Sequence, residues 1–131
     1  MRLIIAGSRT VPDDDIGMHL LQTGIDNFYR LSLYAVSEVV SGGARGADKL
    51  GERWARDIAH IPVTVVPARW DLHGRSAGYK RNVDMAMYAK ESASPGALLA
   101  LWDGKSRGTR HMIEVAQREG LEVWVEIVDY L

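Results

Sequence analysis

Five short apolar runs, each bounded by glycine or proline, alternate with segments of helical spacing in this 131-residue chain, and that alternation limits its fold more than any other feature. Residues 2–6 carry Leu3, Ile4, Ile5 and Ala6 and stop at Gly7, as a buried strand ending in a turn does. Pro12 and three aspartates at 13–15 then open a helix at the end where its dipole favours negative charge, with Met18, Leu21, Ile25 and Phe28 on its inner face. Residues 36–41 make a second strand that breaks at Gly42 and Gly43. The next helix has Ala47, Leu50, Gly51, Trp54, Ala55 and Ile58 inward, with Lys49, Glu52, Arg53 and Arg56 between them. Residues 62–66 form a third strand with Pro62 and Pro67 at its ends, a placement that suits a sheet edge. A helix near 78–89 follows, and then the continuous apolar run 97–102 of a strand covered on both faces. A last helix with Thr109, Met112, Ile113 and Ala116 on one face is closed by Gly120. Strand 121–128 alternates apolar residues with Glu122, Trp124 and Glu126, as an edge strand would.

This pattern predicts one α/β domain over residues 1–131, a Rossmann-like three-layer sandwich on a five-stranded, mainly parallel sheet. The fully apolar first and fourth strands belong in the middle, which selects the order 3-2-1-4-5 and puts a ligand crevice between strands 1 and 4.

Composition removes several function classes. The chain has no cysteine, so disulfides, thiolate metal sites and thiol catalysis are excluded, and a reducing cytoplasm is the expected location. A formal net charge of -1 gives no broad field for polyanions, so nucleic acid is admitted as a partner but not favoured. The apolar start is too short for a signal-peptide core, and no run is long enough for a membrane span, so no membrane partner is expected. His19, His60, His73 and His111 lack metal-ligand spacing, so neither a metal nor a cofactor is expected. Without a G-x-S-x-G elbow, acyl chemistry has no support.

The unusual loops all follow a strand and precede a helix, and therefore share one rim. They are Gly7-Ser8-Arg9; Ser41-Gly42-Gly43-Ala44-Arg45-Gly46-Ala47-Asp48; residues 69–82; and residues 103–109. Such a concentration of glycine and arginine on one edge points to an anion. In the second loop Gly42, Gly43 and Gly46 admit a phosphate to backbone N–H groups, and Arg45 is placed to clamp it; a tight strand-to-helix turn would use the same glycines. Ala44 breaks the dinucleotide fingerprint. Gly104-Lys105-Ser106 resembles part of a P-loop, but Leu99 stands where its first glycine belongs. Ser106, Gly108 and Thr109 instead read as a second anion cradle at a helix start, or as simple caps. Ser8 and Arg9 line the crevice, Arg81 and Asn82 lie on or near a helix start and reach over it or else belong to a solvated helix face, and Trp70 stands near the same rim. For a reaction, the candidates are Arg81 with the carboxylates Asp48, Asp103 or Glu114.

Four ordered motifs, GSR, SGGARGAD, W-x-x-H-G-x-x-A-G-x-x-R-N-x-x-M and D-G-x-S-x-G-T, resemble the SLOG superfamily, and within it the small stand-alone YspA or YpsA-related branch. The resemblance runs from Arg2 to about Gly120 and implies a Rossmann-like domain that binds nucleotides or nucleotide-derived signals. Two better-known relatives sharpen this expectation. The LOG phosphoribohydrolases cleave the N-glycosidic bond of nucleoside monophosphates and carry P-G-G-x-G-T-x-x-E. Here Gly108 and Thr109 match, but Met112 replaces the glutamate, no P-G-G precedes, and Asn82 replaces the lysine of their R-K pair after Arg81. Glu114 lies roughly 200° further round a helix and is no simple substitute. The Rossmann domain of DprA has a loop similar to SGGARGAD and binds single-stranded DNA. The expected function is therefore binding of a nucleotide-type small molecule, ADP-ribose-like ligands included, in the manner of a sensor. A nucleotide hydrolase is the alternative, and single-stranded DNA binding stands behind it. Relatives form dimers and four tryptophans are many for this length, so a homodimer is compatible with the sequence, which does not locate an interface.

Overall fold

Alternation along the first strand splits the core in two. In the computed structural model, which describes residues 1–92 and 94–128, β1 (Arg2–Gly7) sends Leu3 and Ile5 to one face and Ile4 and Ala6 to the other, all buried. On the first face they meet Leu21, Ile25 and Phe28 of α1 (Asp15–Leu31) and Leu50 of α2 (Ala47–Arg53). On the second they meet Met85, Ala86 and Ala89 of α4 (Ala77–Lys90) and Met112, Val115 and Ala116 of α5 (Arg107–Arg118). The middle layer is completed by β2 (Glu38–Ser41), β3 (Val63–Val65), β4 (Ala97–Trp102) and β5 (Glu122–Ile127). Every pairing is parallel and the order is β3-β2-β1-β4-β5, as the apolar pattern predicts.

Local chemistry explains the element ends. Asp14 caps α1 by accepting from the Gly17 N–H at 3.0 Å, and Ser106 caps α5 by accepting from the Thr109 N–H at 3.3 Å. Gly120, at φ +78°, closes α5. A four-residue helix, α3 (Trp70–His73), and one 3₁₀ turn (Gly74–Ser76) lead into α4.

Four expectations are corrected. The second strand begins at Glu38 and not at 36, and the third covers Val63–Val65 and not 62–66. The helix from α2 widens into a π-helical stretch, Trp54–Ala59, which shifts the angular phase of everything after Trp54 and leaves Ile58 51 % exposed where 3.6-residue spacing had put it inward. Glu52, read as a solvent-side residue, is buried, because the end of β2 supplies a partner: the Ser41 hydroxyl donates to it at 2.7 Å. Among the described residues no buried side-chain nitrogen or oxygen lacks a partner, and no helix is long and apolar enough to cross a membrane.

Candidate functional site

Parallel strands bring all their carboxyl ends to one edge, and there the loops after β1, β2, β3 and β4 converge on a pocket of about 450 Å³. Gly7, Ser8 and Arg9 form one wall and Asp103, Ser106, Gly108 and Thr109 another, with Asp48, Trp70, Arg81 and Asn82 between them. A second concavity adjoins it, lined by Gly42, Gly43, Arg45, Pro67 and Ala68, and the two share Arg9, Ala44, Trp70 and Arg81.

The wall after β4 is built by one carboxylate. Asp103 Oδ1 accepts from the N–H groups of Lys105 and Ser106, each at 2.8 Å, which hold its carboxyl below the ordinary aspartate value. Its own N–H donates to the Ser8 hydroxyl at 3.1 Å, fixing this loop against the loop after β1. Ser8 itself is buried and hydrogen-bonds through its N–H to Leu101 across β4. Ser106 and Thr109 thus stand at the first turn of α5, where backbone N–H groups and the helix dipole favour an anion.

The loop after β2 is filled by its own side chains. The Gly43 N–H donates to the Ser41 hydroxyl at 3.1 Å and the Ala44 N–H to Asp48 Oδ2 at 3.1 Å. Asp48 therefore occupies the seat that a glycine-rich turn would offer to an external phosphate. Burial pushes its carboxyl up to about 6, against the pull of the Ala44 N–H and of the Arg81 guanidinium. Arg81 crosses Gly42 to donate to its carbonyl at 2.7 Å; a side chain at 42 would meet both the guanidinium and the Asp48 carboxylate within 3 Å. Burial lowers the Arg81 pKa and Asp48 opposes this, and at neutral pH the group stays charged. Gly46 has φ +81°, and a Cβ there would fall 2.6 Å from the Ser8 carbonyl oxygen, so glycine is required for the loops after β1 and β2 to touch.

Arg81 and Asn82 lie in the second turn of α4, not at its start. Asn82 is 5 % exposed, which removes the solvated-face reading for that residue: its amide nitrogen donates to the Gly108 carbonyl at 3.3 Å and lies 3.1 Å from His111 Nδ1. Burial lowers the His111 pKa, which favours the neutral ring, with Asn82 donating to Nδ1.

Most of the residues expected from the sequence are brought together. Ser41 and Gly46 are buried beneath the rim and line neither concavity. Glu114 is exposed on α5 away from both. Arg75, Tyr79, Met85 and Met112 also line the pocket and were not expected there. Arg75, Tyr79 and Met85 fall inside the W-x-x-H-G-x-x-A-G-x-x-R-N-x-x-M pattern, and Met112 stands at the glutamate position of the P-G-G-x-G-T-x-x-E motif, which were the available signals. Among the described residues no group of three or more His, Asp or Glu is placed to hold a metal ion.

The sequence has relatives. A family model, YspA, cpYpsA-related SLOG family, matches residues 1–73. The chain is similar to the Gene 61 protein of Mycobacterium phage D29, with 37% identity over 126 residues that cover 93% of either chain. No solved structure matches it.

Proposed function

Because the chain belongs to the YspA, cpYpsA-related SLOG family, associated with nucleotide-related ligands, we propose that its carboxyl-edge pocket binds the phosphate of a nucleotide or nucleotide-derived molecule, ADP-ribose-type ligands included. One observation carries the reading. Three guanidinium-bearing residues from three different segments, Arg9, Arg75 and Arg81, line the same pocket as the capped N-terminus of α5, and Asp48 is the buried carboxylate beside them. Arginine forks and first-turn N–H groups both suit phosphate oxygens. The volume, about 450 Å³, is in the range for small organic ligands. The loop after β2 contributes through Arg45 and Arg81 at its edge, since two of its amides are satisfied internally.

A ligand that binds only the folded state raises the unfolding midpoint. A thermal-shift panel of mono-, di- and cyclic nucleotides and ADP-ribose, with sodium sulfate as the charge control, is expected to give a nucleotide-dependent rise; a panel that moves the midpoint no further than sulfate does would remove the reading.

Asp48 supports a second reading, a nucleotide N-glycosidic or phosphoester hydrolase. A carboxyl lifted to about 6 in a pocket beside Arg81 is suited to hold or release a proton near neutrality. Chromatography of a nucleotide panel after incubation with the protein tests it. Free base or phosphate whose release stops in Asp48→Asn supports catalysis, and unchanged nucleotides exclude it.

A further inference from the structure

Of the four tryptophans, three are engaged. The indole N–H of Trp54 donates to Gln22 at 3.3 Å, that of Trp102 to the Ser106 carbonyl at 3.1 Å, and that of Trp124 to Glu126 at 2.8 Å. Trp70 differs: the residue is 53 % exposed, and among the described residues its N–H has no protein acceptor. This indole lines both concavities of the site, with an apolar face and a polar N–H both open to a ligand. Its position is set by the backbone around it. The ring edge comes within 3.5 Å of where a Cβ of Gly78 would stand, so the missing side chain leaves the indole room over the first turn of α4.

Next to it stands a second aromatic surface. Tyr79, 47 % exposed, lies against the His111 ring with centroids 4.3 Å apart and planes tilted by 33°, and His111 is held in turn by Asn82. A pocket that combines guanidinium groups with an exposed aromatic wall matches a molecule that has an anionic end and a flat π-face. Sugar phosphates supply only the first, and nucleoside phosphates supply both.

We propose that Trp70, with the Tyr79–His111 pair beside it, is the nucleobase seat of this pocket, so that a nucleoside phosphate lies with its base on the α3–α4 wall and its phosphate toward Arg9 and Arg81. The proposal rests on the phosphate reading above and adds to it the base as the second recognised group and its place. Stacking on aromatic rings tolerates different bases, because each has a π-face, and is worth roughly 5- to 150-fold in affinity per base.

Calorimetric titrations of the full chain with AMP, UMP and ribose 5-phosphate test it, using wild type, Trp70→Ala and Trp70→Phe. Because Trp70 is more than half exposed, both variants are expected to keep the wild-type unfolding midpoint. In the wild type AMP is expected to bind at least about 5-fold more tightly than ribose 5-phosphate. In Trp70→Ala that ratio should fall towards one while ribose 5-phosphate affinity stays unchanged, and Trp70→Phe should keep most of it. Equal affinity for AMP, UMP and ribose 5-phosphate in the wild type overturns the base seat and leaves the phosphate reading standing, as does a ratio that survives Trp70→Ala. Absence of binding by all three overturns both.

Discussion

Arg81 reaches from the second turn of α4 to the Gly42 carbonyl oxygen, 2.7 Å away, and so ties a helix on one face of the sheet to the strand end that begins the glycine-rich loop. Its guanidinium also lies beside the Asp48 carboxylate and, through Nε, donates to the Asn82 side chain at 3.2 Å. Each of these contacts places one positive charge at the boundary between the two concavities.

Arg81→Ala is therefore expected to weaken nucleotide binding by about 10- to 150-fold, the range that follows from roughly 1.5–3 kcal/mol for a charged hydrogen bond. Arg81→Lys should fall between, because it keeps the charge and loses the fork. Titration calorimetry gives the three constants, and an alanine variant that binds like wild type contradicts the assignment.

Asp48 makes stability depend on pH in the direction opposite to most carboxylates. Its folded-state value, about 6, lies above the ordinary 3.8, so between those limits the folded protein holds a proton that the unfolded chain has released. Stability from this group is present below about pH 4, declines as pH rises through the window, and is lowest above 6, with a span of roughly 3 kcal/mol at most. The charges that face it are Arg81 on α4, Arg9 after β1 and Glu52 one turn along α2. Asp48→Asn, which can still accept the Ala44 N–H, should match the wild-type midpoint near pH 3.5 and exceed it by several degrees at pH 8. Parallel curves for the two proteins across that range would rule this out.

Gly46 and Gly104 separate two costs of a methyl group. Both have positive φ, +81° and +79°, but a Cβ at 46 meets the Ser8 and Arg9 carbonyls within 2.8 Å while one at 104 meets nothing within 4 Å. Gly104→Ala should lose about 1–2 kcal/mol from backbone strain alone, and Gly46→Ala roughly 1–3 kcal/mol beyond that from the clash. Denaturant unfolding of the pair reads the difference directly, and equal losses would contradict the close approach of the two loops.

Gly108 allows function to be separated from folding. It lines the pocket in the first turn of α5, with open space around its Cα. Aspartate there complements the helix dipole, so Gly108→Asp should keep or slightly raise the unfolding midpoint while its charge expels a phosphate. Glu114→Gln, exposed and away from the pocket, should change neither binding nor any hydrolysis. Nucleotide affinity retained in Gly108→Asp would move the phosphate elsewhere.

How much of this was readable from residues alone follows from where periodicity holds. The strand order was, because β1 and β4 are apolar on both faces while β5 alternates; the crevice position follows from that order. Arg9, Ser106 and Thr109 were visible as polar residues clustered just after apolar runs, and Arg81 as part of the W-x-x-H-G-x-x-A-G-x-x-R-N-x-x-M pattern. What stayed hidden depended on contacts across the fold. Ile58 looked inward until the π-helical stretch changed its phase, and Glu52 looked solvated because nothing local reveals that Ser41 lies beside it. Likewise the glycine-rich loop suggested open amides, while Ser41 and Asp48, which occupy those of Gly43 and Ala44, are themselves the flanks of the motif.

Asp103, Asp48, Ser41 and Ser106 each spend a side chain on the backbone of a rim loop. A visiting molecule would therefore meet walls already set, and little segmental freedom is left to be lost on complex formation. Recognition here should behave as lock and key: association close to the rate of diffusive encounter, discrimination expressed in residence time, and amide exchange at the rim slow before any ligand arrives.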